Sequence, residues 1–385
     1  MMKSEQMEVI RISTKYSMVK GAIESRIIDG TYVPHQKIHS ESELMKEFSV
    51  SRHTVRQAIG DLVTAGWLYR IQGSGTFCAD RSKLTINNGS QKNIAIITTY
   101  ISDYIFPSII RGAEAQLSEA GYRVSIFSTN NDYKDEKRIL ETILSHNFDG
   151  VIVEPTKSAY SNPNINYYLK LENQSIPYIM INAYYDELEP IHIMVDDEVG
   201  GFKQTEHLIN LGHTNIVGCF KTDDMQGTQR MKGFLKAHRK HDILLNPNNI
   251  ITYKTEDKNK KPIQEFEKIL SLPSSQVPTA LVCYNDELAM NILDVLRIKN
   301  LNVPDDLSVV GYDDSFLAGI SEVKLTTIVH PKSNLGKTAA DLIIEMIELK
   351  KMEKEIPESL SVVYPAELKI RNSTQKIGAS TSSAQ

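Results

Sequence analysis

From Ser51 to Phe77 the chain reads SRHTVRQAIGDLVTAGWLYRIQGSGTF, and its first half carries residue types that suit nucleic acid. Arg52, His53 and Arg56 share one face of a helical pattern, while Val55, Ala58, Ile59 and Leu62 make the opposite, apolar face. An Arg fork can grip guanine O6 and N7 with two hydrogen bonds, and His53 and Thr54 can add a base or phosphate contact. Ser51, with the free N–H groups of the helix start, can hold a phosphate. Gly73 and Gly75 permit positive φ and close approach of backbone to DNA, with Gln72 at the hairpin tip. Two Arg and one His on a turn also occur on ordinary solvated faces. The surrounding elements decide between the two readings.

Those elements form a set. Tyr16–Asp29 has helical spacing and stops at Gly30. Ser40 with Glu43 is a capping box for a short helix reaching about Phe48. Ser51 caps a third helix that runs to about Ala65, with Gly66 as its stop. WLYRI and TFCA flank QGSG as two strands of a hairpin. Three helices and a hairpin are the layout of a winged helix-turn-helix, whose third helix enters the major groove. From Lys15 to Asp80, eight Lys/Arg face seven Asp/Glu, so this head is barely positive and a single copy should bind weakly.

The stretch resembles the GntR family of bacterial repressors through SESEL (40–44), VSRHTVRQAI (50–59), Leu62 with Gly66, and QGSGTF (72–77). The resemblance puts DNA contacts at Arg52, Thr54, Arg56 and Gly73; the full DNA-contacting set is Lys15, Ser51, Arg52, His53, Thr54, Arg56, Gln72 and Gly73. The family usually has Arg where this chain has Ser42, so a contact from that position is in doubt.

Residues 81–92 are polar and turn-rich, a linker. Beyond them short apolar runs (NIAIIT, YRVSIF, DGVIVE, PYIMI, NIVGCF, TALVCY, LSVVGY) alternate with amphipathic stretches. This is the pattern of parallel sheets covered on both faces, and the length favours two lobes. Ligands of such sheets bind at the carboxyl ends of the strands. Those ends carry Tyr100–Phe106, Glu154 and Asn182, then Asp196, Arg230, Asn285/Asp286 and Asp313/Asp314. Carboxylates and an Arg fork grip vicinal hydroxyls and aromatic rings cover a sugar ring face, so the chemistry suits a sugar.

Residues 93–372 resemble the sensing domain of the LacI/GalR repressors, itself similar to periplasmic sugar-binding proteins. VDDEVGG, HLINLGHTNI, QRMKGF, TALVCYNDELAM and LSVVGYDDS are among the matching stretches. By motif, Arg230 is the family's sugar-clasping arginine and Asp286 its acidic partner. Asp103, Tyr104, Phe106, Glu154 and Asn182 join them by loop position; Asp103 is equally placed to cap the next helix, and Tyr184 is a lesser candidate. His213 is assigned to packing, and Asp313/Asp314 to the turn or hinge. The two parts together are similar to the arabinose-responsive repressors of Gram-positive bacteria. That resemblance implies L-arabinose as effector, a homodimer and a palindromic double-stranded operator, with another sugar or a corepressor as the alternative.

The expected fold class is α/β: a winged helix-turn-helix (15–80) and a two-lobed, type I periplasmic-binding-protein-like effector domain with parallel sheets (93–372). Lobe 1 is expected over about 93–191 and 316–349, lobe 2 over about 192–312 and 358–371, with a loose leader (1–14) and a disordered tail (373–385). Net charge is −5, which permits a local basic face and argues against a wholly basic protein. Three scattered cysteines form neither a disulfide framework nor a zinc site. A signal peptide and apolar membrane span are lacking, so the expected compartment is the cytoplasm and a periplasmic receptor is disfavoured. No P-loop, GxGxxG, HExxH or GxSxG is present, which disfavours an enzyme, and no cofactor or metal is expected.

Overall fold

The computed structural model describes residues 2–71, 73–80 and 92–377, with side chains from residue 15 onward. Gln72, nearly all of the expected linker and residues 378–385 lie outside the described residues. The chain divides into two units, the first essentially the head and the second the effector domain.

In the head, α1 spans Met2–Ile28, so helix begins well before the expected start at Tyr16. The capping box at Ser40 opens α2 (Glu41–Phe48), and Ser49, at φ 52°, closes it. Ser51 caps α3 (Arg52–Thr64) by accepting from the Thr54 N–H. Strands β1 (Leu68–Ile71) and β2 (Gly75–Cys78) pair antiparallel from Leu68–Cys78 to Ile71–Gly75. Val19 and Ile23 of α1, Leu44 of α2, Val55, Ala58, Ile59 and Leu62 of α3, and Leu68 of β1 are buried as one apolar set. The apolar face read from the sequence therefore fixes α3, which turns Arg52, His53 and Arg56 to solvent.

The effector domain begins with β3 (Asn93–Thr98), α4 (Phe106–Glu119), β4 (Arg123–Ser128), α5 (Tyr133–Ser145), β5 (Gly150–Val153), α6 (Ile165–Asn173), β6 (Tyr178–Ile181) and β7 (His192–Val195). It continues with α7 (Asp197–Asn210), β8 (Ile216–Lys221), α8 (Met225–Lys240), β9 (Ile250–Tyr253), α9 (Lys261–Leu270), β10 (Ala280–Cys283) and α10 (Asp286–Ile298). The last elements are β11 (Ser308–Asp313), α11 (Phe316–Ile320), β12 (Thr326–Val329), α12 (Lys332–Lys351), β13 (Val362–Tyr364) and β14 (Glu367–Lys369). Two six-stranded sheets result, ordered β13-β7-β6-β5-β3-β4 and β14-β12-β11-β10-β8-β9. Every pairing in them is parallel except β12 with β14.

This topology moves the expected lobe boundaries. β7 and β13 pair with each other in the first sheet, whereas both were expected in lobe 2. α11 and β12 belong to the second lobe, so the chain crosses between lobes after β7, after β12 and between β13 and β14. The tail does not start at residue 373. Ser373 is fully buried, donating its hydroxyl to the Val309 carbonyl and accepting the Thr326 N–H, and Gln375 bonds the Ser308 hydroxyl. Two glycines set one contact that matters for the site. A Cβ at Gly201 of α7 or Gly233 of α8 would lie 2.1 Å from the carbonyl oxygen of Arg230 or Glu198, so these helices touch backbone to backbone.

Candidate nucleic-acid interface and effector cleft

At the head, Ser51, Arg52, His53 and Arg56 are exposed at the start of α3, Lys15 is exposed on α1, and Gly73 takes φ 76° in the wing. Thr54 departs from its expected role. It is buried, and its hydroxyl lies 2.9 Å from the Ser51 hydroxyl, so it braces the cap instead of facing outward. Glu41, the first residue of α2, was not anticipated: both its oxygens accept from Arg56 Nε at 2.9 and 3.0 Å, and one lies 4.0 Å from Arg52 Nε. An exposed pair of this kind is worth about 0–1 kcal/mol, little enough for DNA to displace.

In the effector domain, a cleft between the lobes collects most of the predicted sugar contacts. Asp103, Tyr104, Phe106, Glu154, Asn182 and Arg230 all line it. Arg230 is buried; Nε donates to Asp197 Oδ1 at 2.8 Å and Nη1 to the Tyr284 carbonyl at 2.7 Å, and the guanidinium lies over the Tyr312 ring. Asp197 opens α7 and Arg230 lies on α8, so the glycine-mediated contact of these helices makes the pair. Asp313 Oδ1 stands 3.5 Å from Arg230 Nη2, and Asp313 Oδ2 accepts from the Tyr104 hydroxyl at 2.7 Å, across the cleft.

Glu154 is held by lobe 1. One oxygen accepts the Thr99 N–H at 2.8 Å and the Thr99 hydroxyl, the other the Asn182 amide at 3.0 Å. Asn182 passes the chain on, its carbonyl oxygen 3.1 Å from His330 Nε2, which fixes that nitrogen as the N–H. His330 Nδ1 and Gln226 Oε1 line the same cleft as buried acceptors without a hydrogen-bond partner among the described residues. Tyr100 meets Phe106 edge-on at 5.9 Å and Tyr253 meets Tyr284 at 6.2 Å, giving aromatic walls on both sides.

Glu154, Asp197, Asp224, Arg230 and Asp313 are buried charges of the cleft, while Asp103 is exposed. Burial pushes the Asp197 carboxyl up to about 6 against the pull of Arg230, so it is ionised at neutral pH. Burial alone would lower the Lys221 ammonium, yet Asp224 at 2.8 Å and Asp223 at 3.2 Å hold it above its ordinary value. Burial drives the His330 imidazole down to about 4, so it is neutral at physiological pH. Burial raises Glu154, partly offset by its hydrogen bonds. Tyr104, Asn182 and Asp313 have φ of 56°, 65° and 96°, non-glycine residues in a disfavoured region that gathers at functional sites.

Two expectations are corrected. Asp286 does not reach the cleft: it is fully buried beneath it, accepting from the Thr327 hydroxyl and the Ser315 N–H at 2.7 Å each. Burial lifts its carboxyl to about 7, and its neighbours Asn285 and Glu287 line the cleft instead. Asp314 accepts from Arg371 and Lys369 within the second lobe, whereas Asp313, placed with it at the turn or hinge, faces the cleft. Asp103 does not cap α4, which lacks a side-chain cap. Tyr184 stacks on His192 outside the cleft, and His213 packs against Thr279 and the Gln375 carbonyl as expected. Asp197, Lys221, Asp224, Tyr284 and His330 were missed.

Residues 15–78 match the bacterial regulatory proteins of the gntR family, and residues 205–374 match the periplasmic binding protein-like domain. An arabinose metabolism transcriptional repressor of Halalkalibacterium halodurans is 59% identical over 365 residues, 94% of this chain and 97% of that one. One from Geobacillus stearothermophilus is 50% identical over 364 residues, 94% of this chain and 98% of that one. The transcription regulator CcpA of Lactococcus lactis superposes with TM-score 0.64 at 21% identity, covering 74% of this chain and 100% of that one. A LacI family regulator of Enterococcus faecium, solved with bound ribose, gives TM-score 0.60 at 24% identity, with 74% and 100% covered. The two solved structures speak for the fold, the two relatives for the family. The chain, which joins a gntR-type head to a periplasmic-binding-protein-like domain, belongs to the arabinose metabolism transcriptional repressors.

Proposed function

We propose that this repressor binds a palindromic operator as a homodimer and leaves it when L-arabinose occupies the cleft between the lobes. The observation that carries the reading is the similarity along almost the whole chain to repressors of arabinose metabolism. The cleft supports it chemically. Asp103, Glu154, Asp197, Asp224, Glu287 and Asp313 outweigh Lys221, Lys258 and Arg230 on its walls, which suits a neutral polyol and opposes a phosphorylated one. Buried acceptors at His330 Nδ1 and Gln226 Oε1 call for hydroxyl donors from the ligand. Arg52, His53, Arg56, Ser51, Lys15 and the wing glycine Gly73 carry the DNA contacts.

Pairing is supported by α11, where Phe316, Leu317 and Ile320 are 78%, 43% and 59% exposed side by side. Such a patch suits a contact between copies, and two weakly charged heads then share one operator. The reading assigns the chain no catalytic step and no cofactor, and places it with its DNA in the cytoplasm. Calorimetric titration of the full chain with L-arabinose, D-ribose, D-xylose and a sugar phosphate tests the ligand assignment. L-Arabinose is expected to bind most tightly, and preference for the phosphorylated sugar would overturn it.

A further inference from the structure

The head contains a second basic feature besides the exposed start of α3. A groove runs between α3 and the β1–β2 hairpin, lined by Glu41 of α2, which pairs with Arg56, by Arg56 and Gly60 of α3, and by Arg70, Ile71, Gly73, Gly75 and Thr76 of the hairpin. Along β1 the side chains alternate. Leu68 enters the core, and Tyr69 turns to the other face to stack on Phe77, with ring centroids 5.7 Å apart. Arg70 therefore returns to the Leu68 face, beyond the end of the core, directly opposite Thr76 in the register.

Lys37 approaches the same hairpin from the loop before α2. Its backbone bridges Phe77, and its Cε occupies the place where a Cβ on Gly75 would come within 2.6 Å. Arg70 and Lys37 are both exposed, and among the described residues neither side chain makes a hydrogen bond or an ion pair within 4 Å, although Glu43 feels the Lys37 charge. Arg56, in contrast, is occupied by Glu41.

We propose that this groove binds the phosphodiester backbone of DNA, with Arg70 as its main cation and Lys37 as its second. A helix in a major groove and a hairpin against the neighbouring minor groove must straddle the sugar–phosphate strand that divides the two. Here that strand passes between α3 and β1–β2, over the bare backbone of Gly73 and beside the Lys37 side chain that covers Gly75. The Arg70 fork matches two phosphate oxygens, the Thr76 hydroxyl adds a donor, and Lys37 supplies a point charge beside them. Such contacts fix position and add affinity but read no bases. The inference rests on the DNA-binding reading above, and assigns Arg70 a sequence-independent part in it.

The test uses the full chain and a duplex enriched by it from a random-sequence pool, with a scrambled duplex of equal length. Binding is followed by fluorescence anisotropy between 50 and 300 mM KCl for wild type, Arg70→Gln, Arg70→Lys and Lys37→Gln. Arg70→Gln should weaken binding to both duplexes by the same factor, on the order of tenfold. Its log–log salt slope should shrink by about 0.9 per head. Arg70→Lys, which keeps the charge, should keep the slope, and Lys37→Gln should lower it as Arg70→Gln does. Wild-type affinity and slope in Arg70→Gln would overturn the inference and leave the DNA-binding reading standing, as would a loss confined to the enriched duplex. If wild type enriches no duplex, both fall.

Discussion

The Arg230 guanidinium sits out of water between the Asp197 and Asp313 carboxylates. Removing one partner from such a group strands the others, at a cost of about 3–5 kcal/mol. Arg230→Ala should therefore lower the stability of the effector domain by that amount in urea unfolding, besides abolishing sugar binding. His330 makes a second prediction. Unfolded, its imidazole takes up a proton near pH 6.5; folded, only near 4. The stability it contributes is fully present above pH 6.5 and is lost as pH falls through 4, on the order of 3 kcal/mol. His330→Gln keeps an amide that can donate to Asn182 and has nothing to titrate. Its melting temperature should fall less steeply than that of wild type between pH 7 and 4.

The segments at the strand ends hold the lobes together as well as lining the cleft. Besides Tyr104 to Asp313, the Asn131 amide donates to the Thr255 hydroxyl at 2.6 Å, the Ser158 hydroxyl accepts the Met225 N–H, and Lys157 pairs with Glu256. Each buried bond of this sort is worth about 0.5–1.5 kcal/mol, the exposed ion pair less. Because these bonds favour the closed arrangement, Asn131→Ala should weaken L-arabinose binding several-fold in calorimetry while operator affinity without sugar is preserved. Which elements bear the site was legible in the sequence: strand-end positions gave Glu154 and Asn182, and QRMKGF gave Arg230. Which of neighbouring residues faces the cleft was not. In YNDEL, Asn285 caps α10 and Glu287 lines the cleft, while the intervening Asp286 turns inward to Thr327 and Ser315. That choice is a matter of helix phase against a particular neighbour. Asp197 escaped notice for another reason. It lies 33 residues from Arg230, and the packing of α7 against α8 brings them together.

At the scale of the molecule, the proposed function makes the head and the effector domain the two halves of a linked equilibrium. Sugar can lower DNA affinity only by favouring a state that binds DNA less well, and each tenfold loss requires about 1.4 kcal/mol of coupling. Under the proposed function, a cleft bridged by bonds from both lobes would provide the sugar with such a preference, and the near-neutral charge of the head would make operator binding depend on two copies in register. His330 lines the cleft where the chain crosses between the lobes after β12. The most direct measurement is the anisotropy of a labelled operator duplex bound to the full chain, titrated with L-arabinose at fixed salt. The account predicts release of the duplex, with wild type losing at least tenfold in DNA affinity at saturating sugar. Operator affinity unchanged by L-arabinose that calorimetry shows to be bound would contradict it.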